Sequence, residues 1–255
     1  MKSLPPYSVI ADNENFIAVN KASGISIGAD RWDESQERLD KLLERDLKIK
    51  KIFTVHRIDK ETSGLVIFAK NRETHRNLSI AFEERKVSKK YVAVVHGRTS
   101  WKEQTCDLAL VPDGNKKHMT IIDKYQGKES FTRFICQFSA GNYSVLEAYP
   151  ETGRIHQIRV HLAALGHPVV CDSLYGKENP IKLSSFKRGW KGDPADEKPL
   201  LSRLGLHALE LTLPDNQVLT AQPARDMSAL IKQLEKIAMS NEQLAMSNEQ
   251  LVMSN

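Results

Sequence analysis

Residues 52–69 read IFTVHRIDKETSGLVIFA, and the order of residue types in that stretch sets the fold class. Ile52–Val55 and Leu65–Ala69 are apolar runs of strand length, while His56 to Gly64 between them is polar except at Ile58. A charged loop held at both ends by buried strands is displayed from a rigid base. Arg57 and Asp59 stand two residues apart, so in an extended segment their side chains share one side. Taken alone, the loop is equally an ordinary solvated turn, since Thr62-Ser63-Gly64 is common turn chemistry.

Upstream, Tyr7–Asn20 divides into two strands, YSVIA and FIAVN, around the polar turn Asp12-Asn13-Glu14-Asn15. Lys21–Gly28 is a turn-rich loop, and Glu34–Lys48 spaces Leu39, Leu42, Leu43 and Leu47 as an amphipathic helix. Downstream, Asn71 caps a helix running to about Lys86 with Leu78, Ala81 and Phe82 inward, and Tyr91–Val95 is the next strand. Phe131–Ser139 and Tyr143–Tyr149 form a hairpin around Ala140-Gly141-Asn142. The polar loop PETGR then feeds an apolar-periodic helix, Ile155–Leu165, closed by Gly166 and Pro168. Lys177–Leu201 is a basic insertion of low periodicity, Leu204–Leu213 a strand, and Ala224–Ile237 a closing helix.

Many strands with few helices predict an α+β fold: a mixed, largely antiparallel sheet flanked by helices and loops. Residues 1–237 are expected to form that domain. Residues 238–255, where AMSNEQL occurs twice, are expected to be a disordered tail or frayed helix, because two heptads are too few for a coiled coil.

Composition narrows the function classes. No apolar run approaches the ~20 residues of a membrane span, and Met1–Ser8 has no apolar core of a secretory signal. Three cysteines, far apart and without C-x-x-C spacing, suit a reducing cytosol, so a cytoplasmic monomer without a membrane partner is expected. A net charge of +5 and a pI near 9.0 tilt the balance modestly toward a polyanionic partner such as nucleic acid. G-x-G-x-x-G and a Walker loop are absent, which leaves nucleotide cofactors without support, and G-x-S-x-G, the nucleophile elbow of a Ser/His/Asp triad, is absent too. His156 and His161 are five apart, ~140° around a helix, and no H-E-x-x-H or cysteine pair joins them, so no metal is expected.

Two further segments carry chemistry. In Glu151–His161 a loop enters a helix, whose first N–H groups receive a phosphate or carboxylate. Arg154, just before that helix, could pair with a carboxylate of the first loop; otherwise the segment is a cap by Thr152 with a solvated basic face. Arg85–Tyr91 is a cationic run ending in an aromatic, suited to phosphates and base stacking, or else a charged helix end.

In order, these segments resemble the RluA-type family of pseudouridine synthases from about Asn15 to Pro214. FIAVNKASGI resembles the family's opening strand and loop, and HRIDKETSG its H-R-L-D-x-x-T-S-G signature. KKYVAVVHG resembles its tyrosine strand, TGRIHQIRVHLAALGHPVVCD its third motif, and LGLHALEL its late L-H-A strand. The resemblance implies an enzyme that detaches uracil from ribose in ribosomal or transfer RNA, rotates it and rejoins it through carbon, without metal or organic cofactor. It implies that Asp59 is the catalytic carboxylate, as nucleophile on C1′ or as base at C2′. Tyr91 matches the tyrosine that stacks on uracil, Arg154 the arginine that pairs with the aspartate, and Arg57 the residue that fills the gap left by the flipped nucleotide. His56 and Thr62, in the same signature, are assigned with Arg57 to substrate binding, and Leu206 to the pocket wall.

Ile58 replaces the usual leucine, Ala22 a common proline, and Cys171 a frequent glycine before Asp172. Nothing before Tyr7 could hold the small S4 RNA-binding domain of some members, so Lys182, Lys187, Arg188 and Lys191 of the insertion are expected to contribute to substrate choice. The competing readings are a non-catalytic RNA-binding protein of the same fold and a metal-dependent hydrolase built on the histidines.

Overall fold

The computed structural model describes residues 5–28, 37–115, 119–187 and 189–253. β1 (Tyr7–Asp12) and β2 (Phe16–Lys21) pair antiparallel. Asn13 makes their turn, its Oδ1 accepting from the backbone N–H of Asn15 and of Phe16, each at 2.9 Å. β2 pairs with β4 (Ser63–Ala69), and β3 (Phe53–Thr54) also lies on β4. Every residue of β4 is buried, which is why its sequence is a continuous apolar run rather than an alternating one.

α1 (Leu39–Asp46) is shorter than the helix expected over Glu34–Lys48; residues 34–36 of that expectation lie outside the described residues. α2 (Arg72–Glu83) starts where expected, with Asn71 Oδ1 accepting from the Thr74 N–H at 2.8 Å. β5 (Ser88–His96) follows, then β6 (Glu103–Cys106) and a small pair, β7 (Leu110–Val111) with β8 (Ile121–Ile122). β9 (Thr132–Ala140) and β10 (Tyr143–Pro150) are the expected hairpin. α3 (Gln157–Ala164), β11 (Leu206–Thr212), β12 (Val218–Thr220) and α4 (Arg225–Met253) complete the chain.

Among the described residues the main sheet runs β1-β2-β4-β11-β5-β10-β9-β6, with β3 on β4 and β12 on β11. Its ladders are antiparallel except for β11 against β4, where His207 faces Ser63 and Ala208 faces Gly64. That crossing admits only glycine at position 64. The residue has φ +115°, and a Cβ there would stand 2.2 Å from the carbonyl oxygen of Ala208.

Side chains of β5 alternate between two layers. Val92 and Val94 face α4, which presents Met227, Leu230, Leu234 and Ala238. Ala93 and Val95 face the opposite layer, with Ile158 and Leu162 of α3. The closing helix, expected to end at Ile237, continues through the AMSNEQL repeat, and Ala238 belongs to the buried layer. The insertion is tied down where Ile181 donates to Leu201 O at 2.7 Å. Its Phe186 packs edge-on to Tyr143, ring centroids 5.8 Å apart, at the turn end of β10. At ~3.4 Å per residue, that contact is roughly 24 Å along the strand from Pro150. Arg188 lies outside the described residues. Cys171 keeps the left-handed conformation that glycine favours, with φ 56°. Among the described residues no helix is long and apolar enough to cross a membrane.

Candidate functional site

Sheet order brings the chemistry together. Tyr91 on β5 stands opposite Ala208 of β11, and Ala208 is the parallel neighbour of Gly64, so the aromatic ring is carried to the mouth of the 56–63 loop. On its other side Tyr91 faces Ala148 of β10, which leads at Pro150 into the loop preceding α3. The three segments enclose a cleft of about 520 Å³, a volume suited to a nucleoside-sized group. Asp59, Tyr91, Arg154 and Arg57 all line it, as do His56, Thr62 and Leu206.

The loop carrying Asp59 is held from within. The N–H of Thr62 donates to Asp59 O at 3.1 Å, closing a turn. Lys21, 1% exposed, donates from Nζ to Ala22 O and Lys60 O, each at 2.9 Å. Burial pushes its pKa down to about 7, against the pull of Glu61 and Asp59. His56 accepts from the Ile67 N–H at 3.0 Å through Nε2 and stacks on Phe82 with centroids 4.4 Å apart. Nδ1 is then the nitrogen that carries the proton. Burial, with Lys89 nearby, drives its pKa down to about 3, so the ring is neutral. The imidazole thus anchors the loop to β4 as well as lining the cleft.

The expected pairing of Arg154 with Asp59 is corrected by the structure. Arg154 directs Nε to Glu129 O at 3.0 Å. Among the described residues, the cation within ion-pair range of Asp59 is Arg159, with Nη1 3.7 Å from Oδ2. His156 adopts the left-handed conformation, φ 55°, so the helix begins at Gln157, later than expected, and Arg159 rather than Arg154 is turned toward the carboxylate. The N–H of Arg154 donates to Gln157 Oε1 at 3.0 Å, so this donor is already used. Thr152 donates to the same Oε1 at 2.7 Å, sealing the loop onto α3.

Arg159 is itself fixed. Its Nε and Nη2 form a fork onto Asp172 at 2.8 and 2.7 Å, and its guanidinium lies over the Tyr175 ring, 5.2 Å from the centroid. Both members of the fork are buried. A signal for Arg159 existed in the sequence: it is the lone permanent charge in IHQIRVHLAAL, and a charge in an apolar stripe implies a buried partner.

Three other features escape sequence reasoning. Tyr175 Oη receives the Thr120 N–H at 2.8 Å and shares a hydrogen bond with His156 Nδ1 at 2.9 Å, fixing a side chain that lines the cleft. Behind the loop, His207 donates from Nε2 to Ala221 O at 2.8 Å and accepts at Nδ1 from Ser63 Oγ, also at 2.8 Å. Arg203 donates to the same Oγ at 3.1 Å and pairs with Asp226 at the start of α4. Thr62 Oγ1 is buried without a protein partner, a donor and acceptor in the cleft wall. Burial, and then the charge of Asp59, raise the pKa of Tyr91, so its hydroxyl stays protonated. Among the described residues, no three His, Cys, Asp or Glu side chains gather as a metal-ligand set.

The family model for RNA pseudouridylate synthase matches residues 15–164. Ribosomal large subunit pseudouridine synthase D of Borreliella burgdorferi is 33% identical over 196 residues, covering 71% of this chain and 60% of that protein. Synthase C of Buchnera aphidicola subsp. Acyrthosiphon pisum is 37% identical over 175 residues, 67% of this chain and 52% of that one. The dual-specificity RNA pseudouridine synthase RluA of Salmonella typhi is 32% identical over 177 residues, with 69% and 80% covered. The chain therefore spans little more than half the length of the first two relatives. The solved structure of human RNA Pseudouridylate Synthase Domain Containing 1 superposes with a TM-score of 0.67 at 28% identity, covering 88% of this chain and 86% of that one.

Proposed function

The chain belongs to the RNA pseudouridylate synthase family, and from that premise we propose that it converts particular uridines of structured ribosomal or transfer RNA into pseudouridine, with Asp59 as the catalytic carboxylate. The observation that supports this reading best is the meeting of Asp59, Tyr91 and a fixed arginine in one cleft. In the reaction the bond from C1′ to N1 breaks, uracil turns, and a bond from C1′ to C5 forms; the hydrogen on C5 leaves and N1 takes up a proton. Asp59 either attacks C1′ or removes the C2′ proton, and both roles need a carboxylate facing the ribose.

The remaining residues bind and orient. Tyr91 offers a ring face for the uracil, and Thr62 Oγ1 an unused hydrogen bond for its polar edge. Leu206 supplies apolar wall. Arg57 is exposed at the cleft rim. Extruding a paired uridine costs a few kcal/mol, and a guanidinium stacked into the vacated space offsets part of it. Arg159, held by Asp172, takes the carboxylate-orienting role that the sequence assigned to Arg154. Mapping pseudouridine across all RNA tests the proposal in cells with the gene, without it, and with only Asp59→Ala. One or more sites should vanish in both altered strains. A full set of sites in the Asp59→Ala strain would refute Asp59 as the catalytic group.

A further inference from the structure

Lys89 stands two residues before Tyr91 on β5 and lines the cleft. Its neighbour Lys90 points to the other face of the strand and is neutralised by Glu147 at 2.6 Å. Lys89 has no such counter-charge: its Nζ donates to Thr152 O at 3.2 Å, and no carboxylate of the described residues lies in ion-pair range. Glu83 and Glu151 also border the cleft without pairing to it. Burial and the charge of Arg85 press the pKa of Lys89 down to about 8, the mark of an ammonium short of compensation. Position 153 is glycine, and a Cβ there would stand 3.9 Å from Nζ, so no side chain covers the ammonium on that side. Arg154 follows, its Nε engaged with Glu129 O and its Nη atoms without partners among the described residues.

A partly desolvated cation that the protein leaves without a counter-ion persists where a ligand supplies the anion. We propose that Lys89, flanked by Arg85 and Arg154, is a phosphodiester-binding subsite that grips the RNA backbone beside the extruded uridine. This rests on the pseudouridine synthase reading for the identity of the ligand; the ammonium, with three donors and one charge, suits a single phosphate oxygen cluster. Lys89 then acts on binding and the nearby Tyr91 ring on the base, so the strand KKY reads both parts of one nucleotide.

Binding of fluorescein-labelled decauridylate, followed by anisotropy from 50 to 300 mM NaCl, tests the subsite. Each single-strand phosphate neutralised contributes about −0.7 to the slope of log K against log salt. Lys89→Gln should flatten the slope by about 0.7 and weaken binding several-fold at 50 mM, with an unchanged melting temperature. Lys89→Arg should restore the slope. A slope unchanged in Lys89→Gln, or an equal loss at every salt concentration, overturns the subsite. Release of tritium from C5-labelled bulk RNA, measured in parallel, separates the two ideas. An inactive wild type whose slope still responds to Lys89 counts against the reaction and for the subsite; an active wild type with a slope blind to Lys89 does the reverse.

Discussion

Replacing Asp172 by asparagine should destabilise the protein by about 3 kcal/mol. Asp172 is fully buried, and its carboxylate satisfies Arg159 through two short bonds while Oδ1 also accepts from the N–H groups of Leu174 and Tyr175 at 3.0 and 3.1 Å. Asparagine keeps an oxygen for those backbone donors but turns an NH2 toward a guanidinium that only donates. Removing one partner of a buried pair costs about 3–5 kcal/mol because the other charge is stranded. The low end applies, since Arg159 retains Asp59 at 3.7 Å and the ring of Tyr175. With a urea m-value of about 2–3 kcal/mol per molar, the midpoint should fall by about 1–1.5 M at unchanged m. Burial alone would raise the pKa of Asp172, but hydrogen bonds and charge from Arg159 outweigh it and the net shift is downward. The contribution is therefore present above the ordinary carboxylate pKa, about 3.9, and is lost as pH falls through the lower folded value. The gap between wild type and variant should stay constant from pH 5 to 8. A midpoint change under about 0.3 M at pH 7 would refute the reasoning that Asp172 carries Arg159.

Thr62→Val removes an unpartnered buried hydroxyl, so thermal unfolding should show a melting temperature equal or slightly raised while kcat/KM on RNA falls about 10-fold; unchanged kcat/KM would remove Thr62 from the substrate's contacts. His207 is neutral in the fold, burial holding its pKa to about 4. The unfolded state therefore binds an extra proton between about pH 6.5 and 4. Urea midpoints of wild type should fall more steeply across that window than those of His207→Gln; parallel curves would contradict it. Gly64→Ala places a methyl group against the Ala208 backbone, and a loss above about 3 kcal/mol in chemical denaturation is expected; a folded variant within 1 kcal/mol of wild type would mean the β4–β11 crossing is looser than described.

Much of this architecture is legible in the residue pattern because it follows from local physics. The apolar run at 65–69, the Asn71 cap and the Gly141-Asn142 turn each carry their own signal, and each recurs in the structure. The seven residues assigned to the site do line one cleft. The choice of arginine was only half legible: the lone charge at Arg159 signals a buried partner, but which arginine faces Asp59 depends on a left-handed residue at His156 that shifts the start of α3 and the phase of every later side chain. The support behind the loop was hidden: Ser63 meets His207 and Arg203 across 144 and 140 positions of chain, through a parallel strand contact that no periodicity announces. Lys89 and Lys90 look alike in sequence, and only the alternation of β5, with Glu147 on one face, tells the cation paired with a carboxylate from the one that has none in range among the described residues.

The most direct test of Asp59 follows the hydrogen that must leave C5. Bulk RNA labelled with tritium at C5 of uridine, taken from cells lacking the gene, is incubated with purified wild type and with Asp59→Asn. Wild type should release tritium until its sites are exhausted, and Asp59→Asn should release none above background while still binding RNA. Release by Asp59→Asn at the wild-type rate would contradict the assignment of Asp59 as the catalytic carboxylate.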